Sequence, residues 1–255
     1  MRRSIALFAL AAFFAAAHPA AQGQDKPDLP TADTVMNQYI EATGGKAAYE
    51  KIKTSVLTGT IEIPAANIKG KLKLTQAAPN KLAMYAELGP AGVNKRVTDG
   101  KTVWDYSTTA GDRVLDGEEK DAFLLEADFY KELRWKELYA KAECVGVEDV
   151  NGKPAYKIVL TPKTGKPTTE YYDKASHLRV KSAQSMTTPM GDIEIEEYQT
   201  DYKEVSGVKI PFTITQKILT QEIVMKLTDV KTNVELPDDA FKRPTADEPE
   251  KKKAD

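Results

Sequence analysis

From Val56 onward the chain alternates apolar and polar residues with a period of two. In "IKGKLKLT" Ile68, Leu72 and Leu74 share one parity while Lys69, Lys71 and Lys73 share the other; in "KLAMYAELG" Leu82, Met84, Ala86 and Leu88 repeat the pattern. Such alternation puts one face of a strand against a core and the other in water. Parallel sheets covered on both faces read instead as continuous apolar runs, so the pattern predicts antiparallel strands. Turn dipeptides separate the runs, at Asp99-Gly100, Gly111-Asp112, Asn151-Gly152, Thr164-Gly165, Met190-Gly191 and Ser206-Gly207.

Requiring apolar side chains to meet across each hairpin predicts the registers. A two-residue turn at Asn151-Gly152 pairs Val147 with Tyr156, Val145 with Ile158 and Cys144 with Val159, in a ladder beginning at about Cys144. At Ser206-Gly207 two residues would set Lys203 against Ile210 and Asp201 against Phe212. A three-residue loop, Val205 to Gly207 with Gly207 left-handed, instead pairs Tyr202 with Ile210 and Tyr198 with Ile214. A two-residue turn at Asp99-Gly100 pairs Val97 with Thr102, Lys95 with Trp104 and Val93 with Tyr106. Val93, Val97, Trp104 and Tyr106 then share one face; Asn94, Arg96, Lys101, Asp105 and Val103 share the other. Lys95 opposite Trp104 can lay its stem along the ring with its ammonium in water, which marks Trp104 as an edge position of the apolar face.

Two segments break the strand pattern. In "TADTVMNQYIEATGG" Val35, Met36, Tyr39 and Ile40 fall on one helical face, with Thr31 or Asp33 to cap its start and Gly44 and Gly45 to stop it; "KAAYEKI" adds a short turn carrying Tyr49 and Ile52. Between residues 117 and 143, acids precede lysines, and Phe123, Leu124, Phe129, Leu133, Trp135, Leu138 and Tyr139 fall at mixed helical spacings. One or two short helices inserted between sheet halves are expected there, with the sheet's apolar face as their partner.

The N-terminus has Arg2 and Arg3, an apolar run from Ser4 to Ala17 and small residues after it, the layout of a secretory signal peptide, with cleavage expected near Gly23. The run is shorter than the roughly 20 residues a membrane-spanning helix needs, and no cysteine near the cleavage point can take a lipid, so a soluble, exported, periplasmic protein is expected. The domain plan is a signal peptide at 1–23, a linker at 24–30, a single domain at 31–243 and a proline- and charge-rich disordered tail at 244–255. A formal net charge of −2, more negative without the leader's arginines, leaves no electrostatic footprint for nucleic acid.

Catalytic and metal signatures are scarce. Cys144 is the single cysteine and reads as a partly covered, inert thiol, since no histidine or basic cluster adjoins it. With His18 in the leader, His177 alone remains, which argues against a multi-histidine metal site or a catalytic triad. No phosphate loop, nucleophile elbow, zinc helix or calcium loop is present. In "DIEIEEYQTD" Glu194 and Glu196 alternate with Ile193 and Ile195, the solvated face of a strand. No cofactor, metal ion or enzyme activity is expected. Helices closed fully onto the sheet would give an ordinary core; a strongly curved sheet would leave an apolar cavity beneath them.

The stretches "YIEATGGKAAYEKIKTSVLTGTIEI", "DGKTVWDY", "YYDKASHLRVKSAQS", "TPMGDIEIEEYQTDYKEVSGVKIPFTIT" and "LTDVKTNVELPDDAFKRP", in that order, resemble the lipoprotein-carrier (LolA/LolB-like) outer-membrane lipoprotein-sorting family over most of the chain past the leader. The resemblance implies a mainly β fold with a few helices: a strongly curved antiparallel sheet forming a half-open barrel over an apolar cavity that receives acyl chains. The carriers' cargo-controlling basic residue maps to no unique position; Arg96 is a candidate by its place beside the "DGKTVW" turn. The expected partners are a lipid or lipoprotein acyl chain and an envelope protein. Cavity candidates are Leu72, Leu74, Met84, Trp104, Tyr106, Phe123, Leu133, Tyr156, Ile158, Phe212 and Met225, with Lys95 and Arg96 at the rim; an ordinary core would also explain each apolar one. The rival reading is a non-catalytic envelope interaction domain with a closed core, and an envelope hydrolase is a distant third.

Overall fold

In a computed structural model, which describes residues 28–188 and 191–244, the alternating segments form thirteen antiparallel strands of one curled sheet. The first six, β1 (Thr54–Ile63), β2 (Ile68–Ala77), β3 (Lys81–Glu87), β4 (Val93–Thr98), β5 (Val103–Ser107) and β6 (Gly111–Val114), follow one another as a meander. The last seven, β7 (Tyr139–Val150), β8 (Lys153–Pro162), β9 (Thr168–Asp173), β10 (Arg179–Thr188), β11 (Gly191–Val205), β12 (Val208–Ile218) and β13 (Gln221–Thr232), form a second meander, and β1 pairs with β13 to join the two. The sheet edges are therefore β6 and β7, the two strands that flank the helical insert. That insert, α3 (Gly117–Ala127) and α4 (Trp135–Leu138), carries the chain from one edge to the other across the inner face of the curl.

The N-terminal helices form as their caps and faces predict. α1 (Ala32–Ala42) starts at Thr31, whose hydroxyl accepts from the Thr34 amide at 3.1 Å, and buries Val35, Met36, Tyr39 and Ile40. Gly44 and Gly45 end it with positive φ, and α2 (Lys46–Lys51) follows. Two cores result on the inner face. Under α1, Met36 and Tyr39 pack with Ile158, Leu160 and Tyr172; under α3, Phe123 and Ala127 pack with Leu82, Val103 and Leu115.

Three registers differ from expectation. At Asp99-Gly100 the loop has four residues, because the Asp99 carboxylate accepts from the amides of Lys101 and Thr102 and holds the turn wide. Lys95 therefore pairs with Tyr106 and Val97 with Trp104. The shift is by two residues, so each face keeps its members. At Asn151-Gly152 the two-residue turn and the Val147–Tyr156 pair hold, but a bulge between Cys144 and Gly146 puts Cys144 opposite Ile158 and Glu143 opposite Val159. The bulge lets the ladder continue back to Tyr139, with Ala142 against Leu160, rather than begin at Cys144.

At Ser206-Gly207 the loop has two residues, both with positive φ, and Lys203 does face Ile210. Asp201, at φ 55°, interrupts the alternation, so Tyr202 joins Gln199 on the inner face three residues away; its hydroxyl donates to Arg179 O at 2.7 Å. The predicted three-residue loop fails because it assumed unbroken alternation through Asp201.

The predicted leader, residues 24–27 of the linker and residues 245–255 of the tail lie outside the described residues. Pro244, the tail's first position, is buried, and Arg243 next to it pairs with Asp112 at 2.8 Å.

Candidate functional site

Residues directly opposite in a ladder share a face, so the registers trace the inner surface strand by strand. One row runs Val230–Leu57–Leu74–Met84–Arg96–Asp105, and the next Leu227–Gly59–Leu72–Ala86–Asn94. A third joins Ile61, Met225 and Ile214 to Gln199. Leu57, Ile61, Leu74, Met225 and Ile214 are only half-buried, and Met84 is 37% exposed. This apolar wall on β1, β2, β3, β12 and β13 lies between the α1 core and the α3 core. At one end the segment after α3 closes it: the Phe129 amide donates to Pro79 O at 2.9 Å and the Tyr130 hydroxyl to Ile52 O at 2.9 Å. Toward the other end Ile63 and Ile218 are half-buried and Leu219 is 73% exposed.

The wall is an open trough. Two surface depressions stand elsewhere: a groove of about 510 Å³ between the outward side of α1 and His177, lined by Asp33, Asn37 and Glu41, and one of about 300 Å³ beside the β13 bulge, with Lys71, Lys73 and Tyr85, which reaches the wall only at Gly59 and Leu72. His177 sits in the β9–β10 turn at φ 58°.

Beside the wall the inner face turns polar. Arg179, deep under α1, donates through Nη1 to Glu170 at 2.9 Å, pairs with Glu132 at 3.3 Å and donates through Nε to Gln199 at 3.0 Å. Its guanidinium stacks on the Tyr39 ring at 5.7 Å, and the Tyr172 hydroxyl donates to Glu170. Burial alone would favour a neutral Arg179, but the Glu170 and Glu132 carboxylates reverse that and hold it charged. Burial first, then Glu132, raises the Tyr39 and Tyr49 hydroxyls, Tyr49 being pushed up to about 12, so both stay protonated donors. The buried charges are paired and hydrogen-bonded, as burial requires.

A second polar cluster fastens α3. Arg96 grips Asp105 through Nε at 3.0 Å and Nη2 at 3.1 Å, and Arg113 bridges Asp105 at 3.0 Å and Glu119, in the first turn of α3, at 2.7 Å. The Arg96 guanidinium lies 5.6 Å from the centre of the Phe123 ring.

Leu72, Leu74, Met84 and Met225 thus come together on the wall. Leu133, Tyr156 and Ile158 belong to the α1 core and Phe123 to the α3 core. Trp104, Tyr106 and Lys95 lie on the outer face, with the Lys95 ammonium 5.7 Å from the Tyr106 ring. That hairpin was sorted correctly into two faces, but the one carrying Arg96, Asp105 and Val103 turns inward, because Val103 completes the α3 core and Asp105 neutralises the arginines. Phe212 lies under the Lys203 ammonium, 4.5 Å from its ring centre. Burial raises the Cys144 thiol, keeping it from the reactive thiolate. Sequence reasoning missed Arg179, Glu170 and Glu132; it also passed over Glu197, although that residue continues the parity of Ile193 and Ile195. Among the described residues no helix is long and apolar enough to cross a membrane.

Solved structures share the architecture. A LolA superfamily protein from Nitrosomonas europaea aligns over 84% of this chain and 99% of its own at 12% identity, with a TM-score of 0.57. An outer membrane lipoprotein-sorting protein domain from Vibrio parahaemolyticus aligns over 83% and 97% at 14% identity, TM-score 0.55. A DUF1329 family protein from Desulfovibrio piger aligns over 82% and 96% at 13% identity, TM-score 0.55. No protein-family model and no curated protein matches the sequence. At these identities the likeness shows the fold, which is LolA-like.

Proposed function

We propose that this protein is an exported, periplasmic, non-catalytic carrier that holds a lipid or a lipid-modified partner along the open trough. The supporting observation is the row Leu57, Leu74 and Met84, with Met225 and Ile214 beside it: apolar side chains on the inner face that neither α1 nor α3 covers. An acyl chain laid along them gains about 0.8 kcal/mol for each methylene it buries, which is enough to hold cargo with no reacting group. The leader-like N-terminus and the LolA-like fold agree with export and carriage.

A fluorescent fatty acid should bind saturably and be displaced by unlabelled acyl chains, and Met84→Asp should weaken that binding at least tenfold while leaving thermal unfolding nearly unchanged. Absence of saturable binding across several chain lengths, for anionic, neutral and cationic amphiphiles alike, would remove the proposal. It would favour an envelope interaction domain instead, a reading that the fully packed α1 core, with Ile158 0% and Leu160 1% exposed, also supports.

A further inference from the structure

The polar strip beside the apolar wall bears on what the cargo carries at its head. Ladder registers align Ile158, Glu170, Ser182, Glu197, Gln216 and Ile223 across β8 to β13, a row whose two ends are apolar and whose centre is polar. Glu170 is already committed to Arg179 and Tyr172. Glu197 is not committed to a cation: Oε1 accepts from Gln199 Nε2 at 2.9 Å and Oε2 from Gln216 Nε2 at 3.2 Å, and among the described residues no lysine or arginine lies within ion-pair distance of it. The orientation of Gln199 is fixed from behind, since its Oε1 accepts from Arg179 Nε at 3.0 Å, which turns its amide nitrogen toward Glu197. Gln216 likewise gives one amide N–H to Glu197, which leaves its carbonyl oxygen as an acceptor and its second N–H as a donor. The strip therefore offers acceptors and a negative charge. Glu197, Gln216 and Ser182 are all half-buried, within reach of the trough.

From this arrangement we infer that the trough selects a lipid with a protonated amine at its head: the ammonium docks on Glu197, with Gln216 and Ser182 beside it, and the acyl chain runs across β12, β13, β1 and β2. That path crosses three strand spacings, roughly 14 Å across the sheet, and slants four residues along β1, from Ile61 opposite Met225 to Leu57 opposite Leu74. An ammonium donates to a carboxylate through charge-assisted hydrogen bonds, and its three donors can be shared among the Glu197 carboxylate, the Gln216 carbonyl and the Ser182 hydroxyl oxygen. An anionic head would meet Glu197 with like charge. The inference rests on the carrier reading and adds the head group to it.

Three amphiphiles with one tail separate the two ideas: dodecylamine, dodecyl maltoside and laurate, each titrated below its micelle concentration and followed by calorimetry. Dodecylamine should bind at least tenfold more tightly than the maltoside, and laurate more weakly than either. Glu197→Gln should erase the preference, bringing the affinity for dodecylamine down to that for the maltoside. Glu194→Gln, which removes the same charge from the outer face, should leave the preference intact. Should Glu197→Gln fail to fold, the salt dependence of the native protein decides, since the amine advantage must shrink as salt rises while maltoside binding does not. Equal binding of the three heads, or tightest binding of laurate, overturns the head-group assignment and leaves the carrier standing; no binding by any of them overturns both.

Discussion

Asp105 shows how one side chain sets the position of a helix. Its partial burial disfavours the charged carboxylate, yet the hydrogen bonds and charges of Arg96 and Arg113 outweigh this and hold its pKa below the ordinary value. A carboxyl depressed in the folded state contributes stability that is complete above the unfolded pKa, about 3.9, and is lost as pH falls through the lower folded value. Asp105→Asn should therefore cost about 1 kcal/mol at neutral pH, a modest figure because Arg113 is open to water. The cost should shrink at acid pH, as the native carboxyl takes up its own proton on passing through its depressed pKa. Urea unfolding of both proteins at the two pH values checks this; an equal cost at both would mean that Asp105 contributes shape rather than charge. Arg96, a candidate for the carriers' cargo-controlling residue by its place beside the turn, holds Asp105 in this geometry and lies against Phe123 of α3.

At the scale of elements, the α1–α2 junction is the tightest fit between helices and sheet. Gly44 has φ 128°, and a Cβ there would stand 2.0 Å from the Gly207 carbonyl oxygen, a backbone atom that cannot swing aside. Beside it the Lys209 amide donates to Thr43 O at 2.8 Å, tying the helix end to the β11–β12 hairpin. Gly44→Ala should destabilise by about 1–3 kcal/mol through backbone strain. Gly146→Ala, whose Cβ would meet nothing within 4 Å, should stay within about 0.5 kcal/mol. Thermal unfolding of the pair measures the difference, and equal melting temperatures would show that the junction yields. The helices were legible in the sequence because caps and spacing are local. The strands were legible for the same reason, but their registers were not. The Asp99 side chain widens one turn, the bulge after Cys144 slips another ladder, and left-handed Asp201 changes the face of Tyr202. Each of these is a single-residue backbone event that an alternation pattern averages away.

For the whole molecule, a one-faced antiparallel sheet with two helical interruptions followed from period-two runs and turn dipeptides, and its LolA-like curl from the family resemblance, whereas the site was only half legible. Leu72, Leu74, Met84 and Met225 show the wall by their parity. Nothing in "DKASHLRV" indicates that Arg179 faces inward, whereas in "DIEIEEYQTD" the parity of Ile193 and Ile195 does carry Glu197 to the inner face. The separation of wall from helices also decides how cargo enters. α1 is held by a closed core and by the Arg179 network, while the wall is already open between α1 and α3, so occupancy requires neither helix to leave the sheet. A bound amphiphile should then act by mass action alone, adding about 2.7 kcal/mol of stability at a hundredfold excess over its Kd and raising the melting temperature in proportion. Amide protection along α1 should stay the same or rise. If hydrogen exchange instead shows α1 amides losing protection as cargo binds, the chain enters beneath the helix, and the trough is not where it rests.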